Sequence, residues 1–355
     1  MVVAARSGWR AGGAFGGGRV TMERSGAARV LVTGASGYIG SLLVAELADA
    51  LAAGRIGALI ATDIRPLASG LRLPASGSQF FKHDIRDPGL AAVLRDHAVD
   101  CVIHLASIVT PSKGSTREFE YSVDVGGTRR VLDACAEAGV RRVVVTSSGA
   151  AYGYHADNPE WIGEDAPLRG NESFAYSWHK RLVEEMLAEY RRKHPALEQV
   201  IFRVGTILGA SVNNQITALF ERRRILVLRG CASPFVFVND RDVVNCLVRA
   251  VDSAATGAFN VAGDGALPVR EIAALLGKRT LELPPSFLRA ALAVLHPLGL
   301  TQYGPAQVDF LRYRPVLDNR RLKEVFGYAP AMTTREAFLQ WRDSRRKDVL
   351  GTSDG

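Results

Sequence analysis

A chain of 355 residues can hold one large domain or two of ordinary size, with ample core. Its 47% apolar and 23% charged content is that of a globular enzyme, not of a disordered or fibrous chain. The net charge of +8 sits partly at the two ends, and Arg222-Arg223-Arg224 reads as a solvated helix face, so no nucleic-acid partner is expected.

The first 27 residues are rich in glycine and arginine and lack the apolar stretch of a signal peptide. They are expected to be a disordered extension, with Met22 as a second possible start. No apolar run reaches the roughly 18 residues of a membrane span. Cys101, Cys135, Cys231 and Cys246 are scattered and read as buried free thiols of a reducing compartment, hence a cytoplasmic protein. No metal-ligand spacing is present.

In chain order, apolar strands are expected at 30–33, 58–62, 79–82, 100–105, 142–147 and 199–204. Helices are expected between them, near 38–53, 88–96, 117–138 and 174–193. That alternation means an α/β fold, a doubly wound parallel sheet with ligands at the carboxyl ends of its strands. The first strand ends in Gly34-x-x-Gly37-x-x-Gly40, which opens a helix. Gly34 suits a tight turn, Gly37 a close approach to phosphate, and Gly40 the packing of helix on strand. The helix N-terminus, with Tyr38 and Ile39, offers N–H groups and a positive dipole end to a pyrophosphate.

Asp63 closes the second strand, 23 positions after Gly40. A carboxylate there accepts from adenosine ribose hydroxyls and repels a 2′-phosphate, so NAD is favoured over NADP, although Arg65 softens the preference. Asp84 ends the third strand. It could bond the adenine amino group while Ile85 packs on the ring; alternatively Asp84 or Asp87 caps the next helix. Leu105 and small Ala106 end the fourth strand and allow close approach of the cofactor. His104 reads as a packed core histidine.

Tyr176 and Lys180 lie early in a strong helical pattern, about 6 Å apart on one face. A tyrosine, with an ordinary pKa near 10, needs about 4 kcal/mol of selective phenolate stabilisation to act as a base at neutral pH. A lysine charge on the same face contributes to it, and the ammonium can also hold the nicotinamide ribose. Ser148, at the end of the fifth strand, can hydrogen-bond the reacting oxygen.

After residue 210 the rhythm breaks. Helices are expected at 213–224, 240–251, 268–276, 285–296, 305–311, 319–326 and 333–345, with short strands at 235–238 and 259–261. This reads as a smaller substrate-binding lobe, 211–345, whose segments can interleave with the 28–210 cofactor domain, followed by a tail at 346–355.

The order Gly34/Gly37/Gly40, Asp63, Asp84, Ser148, Tyr176, Lys180 resembles the extended short-chain dehydrogenase/reductase family, over about residues 29–345. Val238-Asn239-Asp240-Arg241-Asp242-Val243 and Phe259-Asn260-Val261-Ala262-Gly263 resemble its C-terminal landmarks. The resemblance implies a Rossmann domain, bound NAD, and a homodimer formed through the 117–138 and 174–193 helices. It also implies catalysis by Ser148, Tyr176 and Lys180 at a secondary hydroxyl or ketone carbon of a small-molecule substrate.

Three departures matter. Gly149 and Ala150 stand where the family's dehydratases carry an Asp-Glu pair, which disfavours water elimination. Asp124 replaces the family's usual asparagine, and a carboxylate cannot donate the same bond. The arginine that pairs with substrate diphosphate in sugar-nucleotide epimerases is missing before Phe235; Arg229 and Arg222–Arg224 lie upstream. The apolar 285–297 segment reads as a packed helix of the small lobe, or else as an apolar wall or surface helix for a lipophilic substrate. Two substrates stay open, a nucleotide sugar (epimerase type) and a hydroxysteroid, sterol or other alcohol (net dehydrogenase). A non-catalytic NAD-binding protein is a third reading, opposed by the intact Ser148, Tyr176 and Lys180.

Overall fold

The computed structural model describes residues 26–351 except 113, 213, 302 and 303. The extension before residue 26 and the tail from 352 lie outside the described residues.

Seven parallel strands form the central sheet. They are β1 (Arg29–Thr33), β2 (Ala58–Asp63), β3 (Ser78–Lys82), β4 (Cys101–His104), β5 (Arg142–Ser148), β6 (Glu198–Val204) and β10 (Gly257–Val261), ordered β10-β6-β5-β4-β1-β2-β3. The order reverses between β1 and β4, and this doubly wound, Rossmann-type topology opens a crevice at that switch point. The strands read as near-continuous apolar runs because both faces are covered. Val30, Val32 and Leu59 pack with Leu43, Leu47 and Leu247, on the side of α1 (Tyr38–Ala52) and α7 (Asp240–Ala250). Leu31, Ile60 and Val102 face the other way, onto Val131, Leu132, Val183 and Leu187 of α4 (Thr128–Ala138) and α5 (Ala175–Lys193).

The single helix expected over 117–138 is three pieces: α3 (Arg117–Tyr121), a π-helical turn (Ser122–Gly127) and α4. The wide turn lets Asp124 point into the core, where it is 3% exposed. Phe259-Asn260-Val261 does not stay in a separate lobe; β10 pairs in register with β6 and completes the sheet.

The 213–224 segment is also corrected. Asn214 caps a short α6 (Gln215–Glu221) through the Ile216 and Thr217 N–H groups, and Arg224 already starts a strand. β8 (Arg224–Leu228) pairs with β11 (Arg279–Leu283), and β7 (Thr206–Leu208) with β9 (Phe237–Asn239). β9 overlaps the strand expected at 235–238, whereas β7, β8 and β11 carry too little periodicity to stand out in sequence. With α8 (Val269–Leu275) and α12 (Thr334–Gly351) they enclose a second core of Phe220, Phe235, Phe237, Phe338 and Trp341. α10 (Gln307–Arg312) and α11 (Arg320–Glu324) follow the sequence pattern, whereas α9 (Pro285–Leu295) contains no buried residue. The packed-helix reading of that segment is therefore wrong. Cys101, Cys135 and Cys246 are buried free thiols, while Cys231 is only half-buried.

Candidate active site

Gly34 leaves β1 with a φ of +72°, and a Cβ there would stand 2.6 Å from the Ala106 nitrogen. At Gly40 a Cβ would stand 2.0 Å from the Gly34 carbonyl oxygen, so any side chain would lever α1 off β1. Gly37 differs. A Cβ there would touch only that oxygen, at 3.2 Å, and would otherwise project into the cavity that Gly37 lines. α1 starts with no side-chain cap and no acidic residue in its first turn. Its leading N–H groups and dipole end are thus free to hold an anion.

The cavity measures about 1100 Å³ and runs from this loop across the strand ends. Every residue singled out in sequence for cofactor or catalysis lines it: Gly34, Gly37, Tyr38, Ile39, Gly40, Asp63, Asp84, Ile85, Leu105, Ala106, Ser148, Tyr176 and Lys180. The Asp63 carboxylate is fixed by the N–H groups of Ser36 and Arg65, both at 3.0 Å. The Arg65 side chain folds back onto Asp63 (3.6 Å) and the Ser36 carbonyl. Asp84 is gripped by the Arg86 guanidinium, which holds its carboxyl below the usual range despite partial burial. Ile85 packs on Gly127 of the π turn. Tyr38 donates to Asp240 at 2.5 Å, tying the start of α1 to α7. His104 is a core histidine, bridging Thr33 and Thr128; burial lowers its pKa to about 3, so it is neutral.

At the other end, Phe174 precedes α5, which presents Tyr176 and Lys180 to the cavity. Lys180 Nζ donates to the Thr146 carbonyl at 3.1 Å and lies 5.6 Å from the Tyr176 ring centre. Ser148 Oγ accepts from the Ala150 N–H at 3.1 Å, which leaves its own proton to donate elsewhere. Ser177 Oγ donates to the Ala150 carbonyl at 2.7 Å and so fastens α5 to the turn after Ser148.

A buried network that sequence reasoning missed sets this geometry. Glu184 on α5 accepts from Ser147 on β5 and pairs with Arg203 on β6 at 2.8 Å. Arg203 donates to the Tyr152 oxygen at 2.7 Å, and Tyr152 donates to Asn260 on β10 at 2.9 Å. Each member is satisfied, so the network rigidifies the site. Asp124 is placed similarly. It accepts from the Ile108 N–H (2.8 Å) and the Ser107 hydroxyl (2.9 Å) on the cavity wall. On its other oxygen, 3.1 Å away, is His179 Nδ1. A neighbouring imidazole thus meets the carboxylate where an asparagine would have needed an acceptor. Burial pushes the Asp124 carboxyl up, but the His179 bond and the Lys180 charge outweigh it, and its pKa lies below the ordinary value.

Another part of the cavity is walled by Tyr154, Phe174, Phe235 and Phe310. Arg314 stands among them, its guanidinium 3.9 Å from the Phe235 ring centre and 4.2 Å from that of Phe310. Its Nε and Nη2 have no hydrogen-bond partner among the described residues, and burial lowers its pKa to about 10, which leaves it cationic at neutral pH. Arg229 and Arg222–Arg224 are not in the cavity wall. Arg314, which enters beyond α10, stands against the Phe235 ring, and no local spacing could reveal it.

The profile of the NAD dependent epimerase/dehydratase family matches residues 30–262, more than half of the chain. The chain belongs to that family. A UDP-glucose 4-epimerase of Mycolicibacterium smegmatis is 31% identical over 330 residues, covering 88% of this chain and 96% of its own. An uncharacterized protein of Mycobacterium tuberculosis is 28% identical over 311 residues, covering 87% and 82%. A short-chain dehydrogenase/reductase superfamily protein of Agrobacterium tumefaciens, solved with bound NAD, shares the fold with a TM-score of 0.68, 23% identity and coverage of 92% and 100%.

The protein is thus an NAD-dependent enzyme of the epimerase/dehydratase family, and its cavity fits that cofactor. Bare backbone at Gly37 and the uncapped start of α1 suit a pyrophosphate, and the fixed Asp63 carboxylate suits ribose hydroxyls. Among the described residues no helix is long and apolar enough to cross a membrane.

Proposed function

We propose that this enzyme moves hydride at a secondary hydroxyl or ketone carbon of a nucleotide sugar, as an epimerase. NAD, held along Gly34–Gly40, Asp63, Asp84, Ile85, Leu105, Ala106 and Lys180, supplies the hydride acceptor and donor. Tyr176 takes the hydroxyl proton and later returns it. Ser148 donates a hydrogen bond to the same oxygen, and Lys180 stabilises the phenolate while anchored on Thr146. The Glu184–Arg203 network holds the helix and strand that carry these groups.

The observation that carries the substrate class is Arg314. A half-buried guanidinium that lines the cavity between two rings, with no carboxylate paired to it among the described residues, favours an anion beside it. A diphosphate provides one, with flanking rings suited to a base or sugar face; a neutral sterol does not. The UDP-glucose 4-epimerase relative agrees with this reading. We further place the protein in the cytoplasm, consistent with its free cysteines, as a homodimer through the outer faces of α4 and α5.

The test is direct. Purified protein is given NAD and, separately, UDP- or GDP-sugars and hydroxysteroids. Sugar isomerisation without NADH accumulation is expected; NADH formed from a hydroxysteroid, with no sugar turnover, would overturn the proposal.

A further inference from the structure

α9 half-buries Leu288, Ala291 and Leu292 and leaves its other apolar side chains on the surface. Phe287 is 60% exposed and Val294 59%, and beyond the helix end Leu298 is 64% and Leu300 70% exposed. Phe287, Ala290, Ala291 and Val294 follow helical spacing along one stripe, and Leu298 lies in the turn after it. From Pro284 to Val308, Arg289 is the only lysine, arginine, aspartate or glutamate, and it is paired with Asp309 on α10. A contiguous apolar surface of this kind marks an interaction site.

The strands that lead into α9 supply the charge. β8 and β11 run parallel, with Arg224 in register with Arg279. Arg222, Arg223, Arg224, Arg229 and Arg279 are exposed, and none forms an ion pair among the described residues. The acids nearest in sequence are already committed, Glu282 to Arg270 and Glu221 to Arg345. The Arg229 N–H bonds the Leu283 carbonyl at 2.9 Å, two residues before α9. Arg229 therefore stands at the entry to an apolar helix, and the other four arginines cluster at the opposite end of the same strand pair. A nucleic acid would match these arginines and leave the stripe wet.

We propose that α9 and the turn after it dock on an anionic lipid surface, with the arginines of β8 and β11 meeting the headgroups. α9 packs on α10 through Arg289 and Asp309, and α10 carries Phe310 of the cavity wall. Docking thus brings the substrate end of the cavity close to the bilayer.

The test is co-sedimentation of the full chain with vesicles of phosphatidylcholine alone or mixed with phosphatidylglycerol. Binding to the mixed vesicles, weakened by salt, is expected. The triple variant Phe287→Ser, Val294→Ser, Leu298→Ser should bind at least about ten-fold more weakly. Arg229→Gln and Arg279→Gln should each weaken binding by about five-fold. All these side chains are exposed, so unchanged circular dichroism and NAD binding are expected and confirm folding. No binding by the unaltered chain, equal binding to neutral vesicles, or undiminished binding by the triple variant overturns the proposal. So does vesicle-independent self-association that the triple variant abolishes, which would give the face to a second copy.

Discussion

The two ends of the cavity handle charge differently. At the glycine-loop end the carboxylates are held by the protein: Asp63 by two backbone N–H groups and Asp84 by Arg86. At the far end Arg314 is half-buried between two rings, with no carboxylate paired to it among the described residues. The first end is pre-organised for one ligand. The second presents a charge with no carboxylate partner among the described residues, and so makes binding there sensitive to the ligand's charge. Changes at the first end should alter cofactor handling and stability, and changes at the second should alter substrate recognition.

The largest effect is expected at the catalytic helix. Tyr176→Phe should lower kcat by about 10²–10⁴ while NAD binding, read by fluorescence titration, stays intact; full activity would remove Tyr176 from the mechanism. Arg314→Met should raise KM for a nucleotide sugar by about ten- to a hundred-fold and leave NAD affinity unchanged. If NAD affinity falls as well, the contrast between the ends is wrong. Asp63→Asn should do the reverse, weakening NAD by about ten-fold and narrowing the NAD:NADP ratio with little change in sugar KM.

Gly40→Ala tests the fold beneath the loop. The new Cβ would sit 2.0 Å from the Gly34 oxygen, and a loss of about 1–3 kcal/mol in urea unfolding is expected. The smallest effect concerns pH. Burial lowers the pKa of His104 to about 3, so between there and its unfolded value near 6.5 the unfolded chain binds more protons. Stability should fall as pH falls through that window, as the unfolded imidazole takes up a proton that the folded one does not. His104→Asn should flatten the slope in a series of Tm measurements.

What was legible in sequence was local. Gly34-x-x-Gly37-x-x-Gly40, and Tyr176 with Lys180, each sit within one strand–turn–helix or one helical turn, where backbone geometry follows from neighbours. Long apolar runs such as Val143–Val145 declared buried strands. The illegible parts depend on distant partners. Arg314 acquires meaning only beside Phe235, and Glu184 only beside Arg203. The π turn around Asp124 and the short β8 and β11 are set by packing rather than by propensity. Asp124 looked like a lost contact because its compensation, His179, is 55 residues away.

The pairing of β10 with β6 has a consequence for how the chain is made. Residues 257–261 supply the last strand of the sheet, and Asn260 closes the polar chain that begins at Ser147. During synthesis the catalytic helix emerges well before that strand exists. Until residue 261 leaves the ribosome, β6 has an unpaired edge and Tyr152 lacks its acceptor, exposing a strand that can pair wrongly. A chain stopped at residue 210 would carry the whole glycine loop, Tyr176 and Lys180, and still be expected to aggregate.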